Sequence, residues 1–238
     1  MSPTEPNIYD SAFVRDLFDE MSSTYGLINL ITSFGFTYWW RRDCASAIQI
    51  QPNSHVLDLM SGMGELCTEL SKKLNEKGTL AALDISPEMC NRARKHQLQT
   101  DYRVIEADAL NPPLEDASFD YIFSTFGLKT FDDVGLAALA REVHQLLKPG
   151  GNFAFLEISV PPNPWLRAPY IFNLNVVIPI LGKILLGNSD HYRMLGVYTE
   201  AFANCEKAAL IFRQHGLAVE ESSYFFGCAT GINGNKNM

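Results

Sequence analysis

The chain has 238 residues, 47% of them hydrophobic, and carries 27 acidic against 19 basic side chains for a net charge of −8. That length and composition suit a single folded domain with a sizeable core and exclude a disordered chain. The acidic balance argues against a nucleic-acid partner, which needs clustered Lys and Arg.

Cys44, Cys67, Cys90, Cys205 and Cys228 are scattered, odd in number and free of any CxxC pair. They predict buried thiols in a reducing, cytoplasmic compartment rather than a disulfide framework, and no metal site is expected. The start of the chain has neither a basic nor an apolar signal region, so no signal peptide is expected. The apolar stretch Pro169–Gly187 is interrupted by Asn173, Asn175, Pro179 and Lys183, which predicts no spanning helix.

In chain order, residues 1–8 are expected to fray and residues 10–50 to be helical, with Phe13, Leu17, Phe18, Leu27, Leu30 and Ile31 at helical spacings. Val56–Met60 predicts a first strand ending in a glycine-rich turn. Leu66, Leu70 and Leu74 then mark a helix. Thr79–Asp84 is a second strand, and Ser86-Pro87-Glu88 opens a helix with an N-cap serine, a first-position proline and an early acid. Tyr102–Ala107 and Phe119–Thr125 predict the third and fourth strands. The stripe Leu136, Leu139, Ala140, Val143, Leu146, Leu147 predicts a helix stopped by Lys148-Pro149-Gly150-Gly151, and Asn152–Val160 a fifth strand. Pro161–Tyr198 breaks the alternation as a helical insertion. Thr199–His215 predicts a helix, and Ala218–Phe226 with Cys228–Ile232 an antiparallel hairpin at the sheet edge. Strands alternating with helices imply a parallel sheet covered on both faces, with ligands beyond the carboxyl ends of its strands.

Asp58-Leu59-Met60-Ser61-Gly62-Met63-Gly64-Glu65 lies where the first strand gives way to a helix. Gly62 and Gly64 allow a tight turn and close backbone approach to a ligand. Asp84, ending the second strand, can accept from both hydroxyls of a ribose. This arrangement points to an adenosine-type cofactor. A dinucleotide would bring a pyrophosphate against Asp58 and Glu65. S-adenosylmethionine (SAM) has no phosphate and carries an ammonium and a sulfonium, which acids favour. Asp108, with Ala109, adds a carboxylate after the third strand that could accept from an adenine amino group. Helix-dipole and loop solvation explain Glu65 and Asp108 equally well.

Val56–Glu65, Asp84–Met89, Glu106–Ala109, Ser118–Asp120, Thr125–Leu128 and Leu147–Gly151 together resemble a class I SAM-dependent methyltransferase. Phe18-Asp19, Tyr25, Asn29, Ser33, Gly35 and Trp40-Arg41, then Ser189–Arg193 with Leu195, and Ala229–Asn235 narrow the resemblance to the ubiquinone/menaquinone-biosynthesis C-methyltransferase family. The resemblance implies a Rossmann-like α/β fold with a mostly parallel seven-stranded sheet, an antiparallel last strand, N-terminal helices and an insertion after the fifth strand. The implied organisation is a helical cap at 10–50, a SAM-binding core at 54–160, a substrate-side insertion at 161–198, and the last helix and strands at 199–238. It places Tyr25, Ile85, Met89 and Thr125 near the cofactor, beside Asp58, Gly62, Gly64, Asp84, Asp108 and Ala109. Core packing is the alternative for Tyr25, Ile85 and Met89.

The chain departs from the family at Gly26, where the family usually has Asp, at Lys129-Thr130, where it has Arg-Asn, and at Tyr198, where it has Ser. Methylation of an apolar aromatic or quinol-like carbon is the leading expectation. Natural-product N-, O- or C-methylation is the second, and a SAM-binding partner without activity the third. Carbon methylation needs an oxyanion stabiliser or a base. Lys129, His191, Tyr192 and Arg193 are the candidates, although His191 could merely pair with Asp190 at the surface and Arg193 could tie down the insertion. Peripheral membrane contact and a homodimer are left open for the apolar insertion.

Overall fold

A computed structural model describes residues 7–33, 35–186 and 190–237. Residues 1–6, expected to fray, and Ser189 of the insertion motif lie outside the described residues, as do the side chains of Asn29 and Asp190.

The apolar runs become strands β1 (His55–Leu59), β2 (Thr79–Asp84), β3 (Asp101–Glu106), β4 (Phe119–Thr125) and β5 (Leu147–Ile158). Between them run helices α4 (Glu65–Ser71), α5 (Pro87–Ala93) and α6 (Asp133–Leu146). Three helices precede the sheet: α1 (Ser11–Met21), α2 (Tyr25–Thr32) and α3 (Phe36–Ser46). The insertion is α7 (Pro164–Phe172), a wide turn at Asn173–Val177, and α8 (Ile178–Leu186). Then come α9 (Asp190–Phe202), α10 (Glu206–Gln214), β6 (Leu217–Tyr224) and β7 (Ala229–Lys236).

The strands form one sheet in the order β3-β2-β1-β4-β5-β7-β6. Every pair through β5 is parallel, and β7 runs antiparallel to both β5 and β6. The chain returns from β3 to the far side of β1, so the strand order switches between β1 and β4. Their carboxyl ends open a crevice there. In register, Asp58 stands opposite Ala82 and Phe123.

Each sheet face has its own core. Phe153, Phe155 and Phe212 meet edge-on or tilted, 5.6–5.7 Å apart, on the face covered by α6 and α10. Trp40, Leu66, Leu70 and Phe123 fill the opposite face. A third cluster, with Met21, Ile28, Met89, Leu174, Tyr192 and Tyr198, joins the N-terminal helices to the insertion above the crevice.

Boundaries differ from expectation in four places. The N-terminal helical stretch breaks twice, and Gly35 at φ 79° precedes the third helix. Lys148–Gly151 lies inside β5 instead of ahead of it, because Leu147 already pairs with Phe119 and a bulge absorbs the turn residues. The expected helix from Thr199 to His215 is interrupted at Ala203, whose φ is 59°. There Val160 N–H donates to Ala203 O and Cys205 N–H to Thr230 Oγ1, so sheet contacts outcompete helix continuation. The terminal hairpin extends to Lys236, and β7 is an inner strand, with β6 at the edge.

A Cβ at Gly234 would overlap the Ala218 carbonyl, so β6 and β7 can pair only around a glycine. Gly234→Ala is expected to cost roughly 3 kcal/mol through overpacking. Urea denaturation measures it; an unchanged midpoint would contradict the tight spacing.

Candidate active site

The turn after β1 is held by its own backbone. Met60, Gly62 and Gly64 take positive φ values of 59°, 55° and 78°. Ser61 N–H donates to Leu83 O at 2.9 Å, and Gly62 N–H to Asp84 Oδ2 at 2.7 Å. Asp84 Oδ1 accepts from Ser86 N–H at 2.9 Å, and Ser86 caps α5 by accepting from Met89 N–H. One carboxylate thus locks the glycine turn to the start of the next helix.

Two oxygens beneath this turn are left over. Asp58 is fully buried; its Oδ2 accepts from the Cys67 thiol at 3.2 Å, and its Oδ1 has no hydrogen-bond partner among the described residues. Ser61 Oγ is unpartnered as well. Burial pushes the Asp58 carboxyl up to about 7, opposed by the Cys67 hydrogen bond and by Arg41. Burial likewise lifts Asp84 to about 6, opposed by the Ser86 and Gly62 amides. In both, desolvation by burial outweighs the hydrogen bonds that favour the charged form.

An open cavity lies over the crevice. Its floor is Met60–Gly62, Leu83–Ile85 and Thr125–Gly127, its sides include Glu65, Met89, Asp108, Ala109 and Thr130, and α1 roofs it with Ser11, Val14 and Phe18. Eight of the ten expected cofactor residues line it: Tyr25, Gly62, Asp84, Ile85, Met89, Asp108, Ala109 and Thr125. Asp58 and Gly64 do not. Asp58 sits behind the turn, and Gly64, at φ 78°, caps the start of α4 with little room for a side chain between His96, Tyr102 and Ala93.

Several contacts here have no local signal in the sequence. Ser11 donates to Asp108 Oδ2 at 2.6 Å across 97 positions of chain. Asp19 accepts from the Ser86 hydroxyl and the Glu88 amide, pinning α1 to α5. Arg41 reaches Glu65 at 3.0 Å and lies 5.0 Å over the Phe126 ring. Phe126 itself has φ 69°, and a Cβ on Gly127 would come within 2.8–2.9 Å of Met60. The family spacing of Phe18-Asp19 and Trp40-Arg41 pointed to the residues, but not to these roles.

A second open cavity lies beside the first, and Tyr25 lines both. Its walls are mainly apolar: Phe36 and Trp40, Leu166, Tyr170, Leu174 and Ile178, Leu195, and Phe225. Its polar groups are largely engaged, as Thr37 with Ser33, Tyr170 with Cys228 O, and Thr199 with Leu195 O.

Lys129 also lines this second cavity, but its ammonium is not a free charge. It sits 2.8 Å from Glu157 Oε1 and donates to Phe126 O at 2.5 Å, with both side chains buried. The expected grouping of Lys129 with His191, Tyr192 and Arg193 is not assembled. Tyr192 points into the core, crosses closely over Gly182 and bonds Thr24 Oγ1 at 2.8 Å. Its helical neighbours are therefore turned aside: His191 pairs with Glu20 at 3.1 Å, and Arg193 is exposed. Instead, α9 presents Leu195 and Thr199 to the cavity.

Residues 7–236 match the model of the ubiE/COQ5 methyltransferase family. The chain is 33% identical to a demethylmenaquinone methyltransferase of Staphylococcus saprophyticus, over 90% of this chain and 91% of that one. It is 31% identical to a ubiquinone/menaquinone biosynthesis C-methyltransferase of Rickettsia felis, over 89% and 86%. Among solved structures, a SAM-dependent methyltransferase from Thermotoga maritima, described as a possible histamine N-methyltransferase, matches with TM-score 0.63 at 18% identity, over 94% and 99% of the two chains. That likeness gives the fold, a Rossmann-like methyltransferase sheet.

Removing one member of a buried ion pair strands its partner. Lys129→Met is expected to cost roughly 3–5 kcal/mol by leaving Glu157 uncompensated, and Lys129→Met with Glu157→Gln to recover most of that loss. Urea melts of both variants decide; equal stability of the single variant and wild type would remove the pair from the fold's support.

Proposed function

We propose, for a chain that belongs to the ubiE/COQ5 methyltransferase family and so is a SAM-dependent methyltransferase, that the acceptor is an apolar quinol-like molecule methylated at a ring carbon. The observation that carries this reading is the mainly apolar second cavity meeting the first at Tyr25. The relatives' names point the same way.

The first cavity suits SAM on chemical grounds. Glu65, Asp84 and Asp108, with Asp58 behind the turn, would oppose a pyrophosphate and favour a cation through space, and Ser61 Oγ, at the cavity floor, has no partner among the described residues. When bound, SAM supplies an electrophilic methyl on a cationic sulfur. Asp84 retains lone pairs for ribose hydroxyls beyond its two backbone bonds. Asp108 accepts from Ser11, which keeps α1 seated over the cavity, and from the Leu110 amide, and it retains lone pairs for a further donor. Ile85 and Met89 give an apolar edge for a base, and Thr125 stands at the end of β4.

The remaining tasks are alignment and exclusion of water. Val14, Phe18 and Tyr25 cover the reacting region with apolar surface. An ammonium has three N–H donors, and Lys129 uses two, on Phe126 O and Glu157. The third is the donor it can offer a developing phenolate in the second cavity.

The test is labelled-methyl transfer to detergent-dispersed prenylated benzoquinols and naphthoquinols, with NMR of the product. Label on a ring carbon supports the reading. Label only on oxygen or nitrogen, or acceptance of unrelated metabolites alone, favours natural-product tailoring instead.

The buried acids also predict a pH dependence. A cationic ligand binds the ionised form of Asp58, which is reached only as pH rises through about 7, with Asp84 ionising near 6. Affinity for SAM should therefore climb between about pH 5.5 and 7.5, and Asp58→Asn should flatten the upper part of the climb. In the ligand-free chain the sign is opposite: a carboxyl with a folded pKa above its unfolded value costs stability as pH rises between the two. Calorimetric titration across this range checks the first effect, and a flat wild-type profile would refute it.

A further inference from the structure

We propose that Tyr198 is a positioning residue for the cofactor: it fastens the segment that enters α1 onto α9, and so holds the roof of the first cavity in place. The proposal rests on the assignment of that cavity to SAM, and the two are tested separately below.

The roof begins ahead of α1. Tyr9 lines the first cavity, as do Ser11, Val14 and Phe18 of the helix itself. On the side of the sheet, α1 is fastened by Ser11 on Asp108 and by Asp19 on the Ser86 hydroxyl and the Glu88 amide. Its entry is a turn. Asp10 N–H donates to Asn7 O at 3.0 Å and Tyr9 N–H to Asn7 Oδ1 at 3.1 Å, and Asp10 then caps the helix by accepting from the Ala12 and Phe13 amides. Turn and cap are contiguous, so whatever holds Ile8 and Tyr9 fixes where the helix starts.

Tyr198 holds both. Its hydroxyl donates to Ile8 O across 190 positions of chain, and its ring lies 5.8 Å from that of Tyr9. Tyr198 is fully buried, in the cluster that contains Leu17 and Met21 of α1. Its helix is tied down one turn and a half earlier, where Tyr192 bonds Thr24 Oγ1 at 2.8 Å. The same helix presents Leu195 and Thr199 to the second cavity. One element therefore braces the roof of one cavity and a wall of the other.

The position asks for a side chain that reaches a carbonyl on a distant segment and offers a flat face to Tyr9. Phenylalanine meets only the second demand. Serine, the residue from which this chain departs here, carries its hydroxyl on Cβ and meets neither. A hydrogen bond and an aromatic contact of this kind are each worth about two- to tenfold in an equilibrium. That is enough to change how long a ligand stays beneath the roof without deciding whether the chain folds.

The test is release of radiolabelled SAM from the preloaded full chain, chased with unlabelled SAM, beside calorimetric titration for the fraction of chains that bind. Tyr198→Phe should speed release about two- to tenfold and Tyr198→Ser roughly tenfold or more, with the binding fraction unchanged. Tyr198→Phe keeps the ring packed, so its result stands even where the serine variant folds poorly. Amide hydrogen exchange of residues 7–13 in the SAM-bound protein should rise in the same order, while residues 55–71 keep wild-type protection. A merely structural role gives a different pattern: fewer chains able to bind, with unchanged release from those that do. That pattern overturns the proposal, as does wild-type release from Tyr198→Phe or exchange that rises equally in both segments. Wild-type protein that binds no SAM overturns the cavity's assignment and the proposal together.

Discussion

Two carboxylates buried beneath a backbone turn, with too few donors between them, organise this molecule. Asp84 closes the turn by accepting from Gly62 and also starts α5 by accepting from Ser86. Asp58 has no such occupation for its Oδ1. Burying acid without full compensation costs folding free energy, and burial raises the pKa of both groups for that reason. A positive charge nearby relieves it by favouring the ionised carboxylates.

The same logic explains where the sequence was readable and where it was not. The strand-turn-helix at Asp58–Glu65, the capped start at Ser86-Pro87 and the acid ending β2 are local patterns. Their physics lies within a few residues, so inspection recovers them. Ser11 with Asp108, Asp19 with Ser86, and Arg41 with Glu65 and Phe126 are pairings across tens of residues, and only tertiary structure brings them together. The insertion shows the limit most clearly. Ser189–Arg193 resembles a substrate-side signature, yet a helix turns consecutive residues about 100° apart. Once Tyr192 is directed onto Gly182 and Thr24, His191 and Arg193 cannot share its destination. Helix endings were misread for a related reason: Ala203 breaks a good helical pattern because Val160 and Thr230 compete for its backbone neighbourhood.

Charge is distributed unevenly between the two cavities. Acids gather around the first: Glu65, Asp84 and Asp108 line it, and Asp58 lies behind its turn. The second has apolar walls and one internally neutralised pair, Lys129 with Glu157. An ion pair in such surroundings contributes little net stability relative to an apolar substitute. Its position gives it another use. Through Phe126 O, the Lys129 ammonium fixes the carbonyl of a residue held at φ 69°, whose ring carries Arg41 and forms part of the first cavity. Strained backbone persists where its surroundings over-determine it, and here the determinants come from both cavities at once.

That coupling has a geometric consequence. Met60 and Phe126, the two left-handed non-glycine residues of the cofactor floor, end adjacent parallel strands on either side of the switch in strand order. Gly127 lets them approach, since a Cβ there would press into Met60. The floor is therefore one packed unit: the glycine turn after β1 leans on the turn after β4, and the latter is anchored by Lys129 and Glu157 from the side of the second cavity. A change in how the second cavity is filled can reach the cofactor through this short chain of contacts, as well as through Tyr25. Placing a neutralised buried pair at that junction keeps the apolar cavity free of net charge.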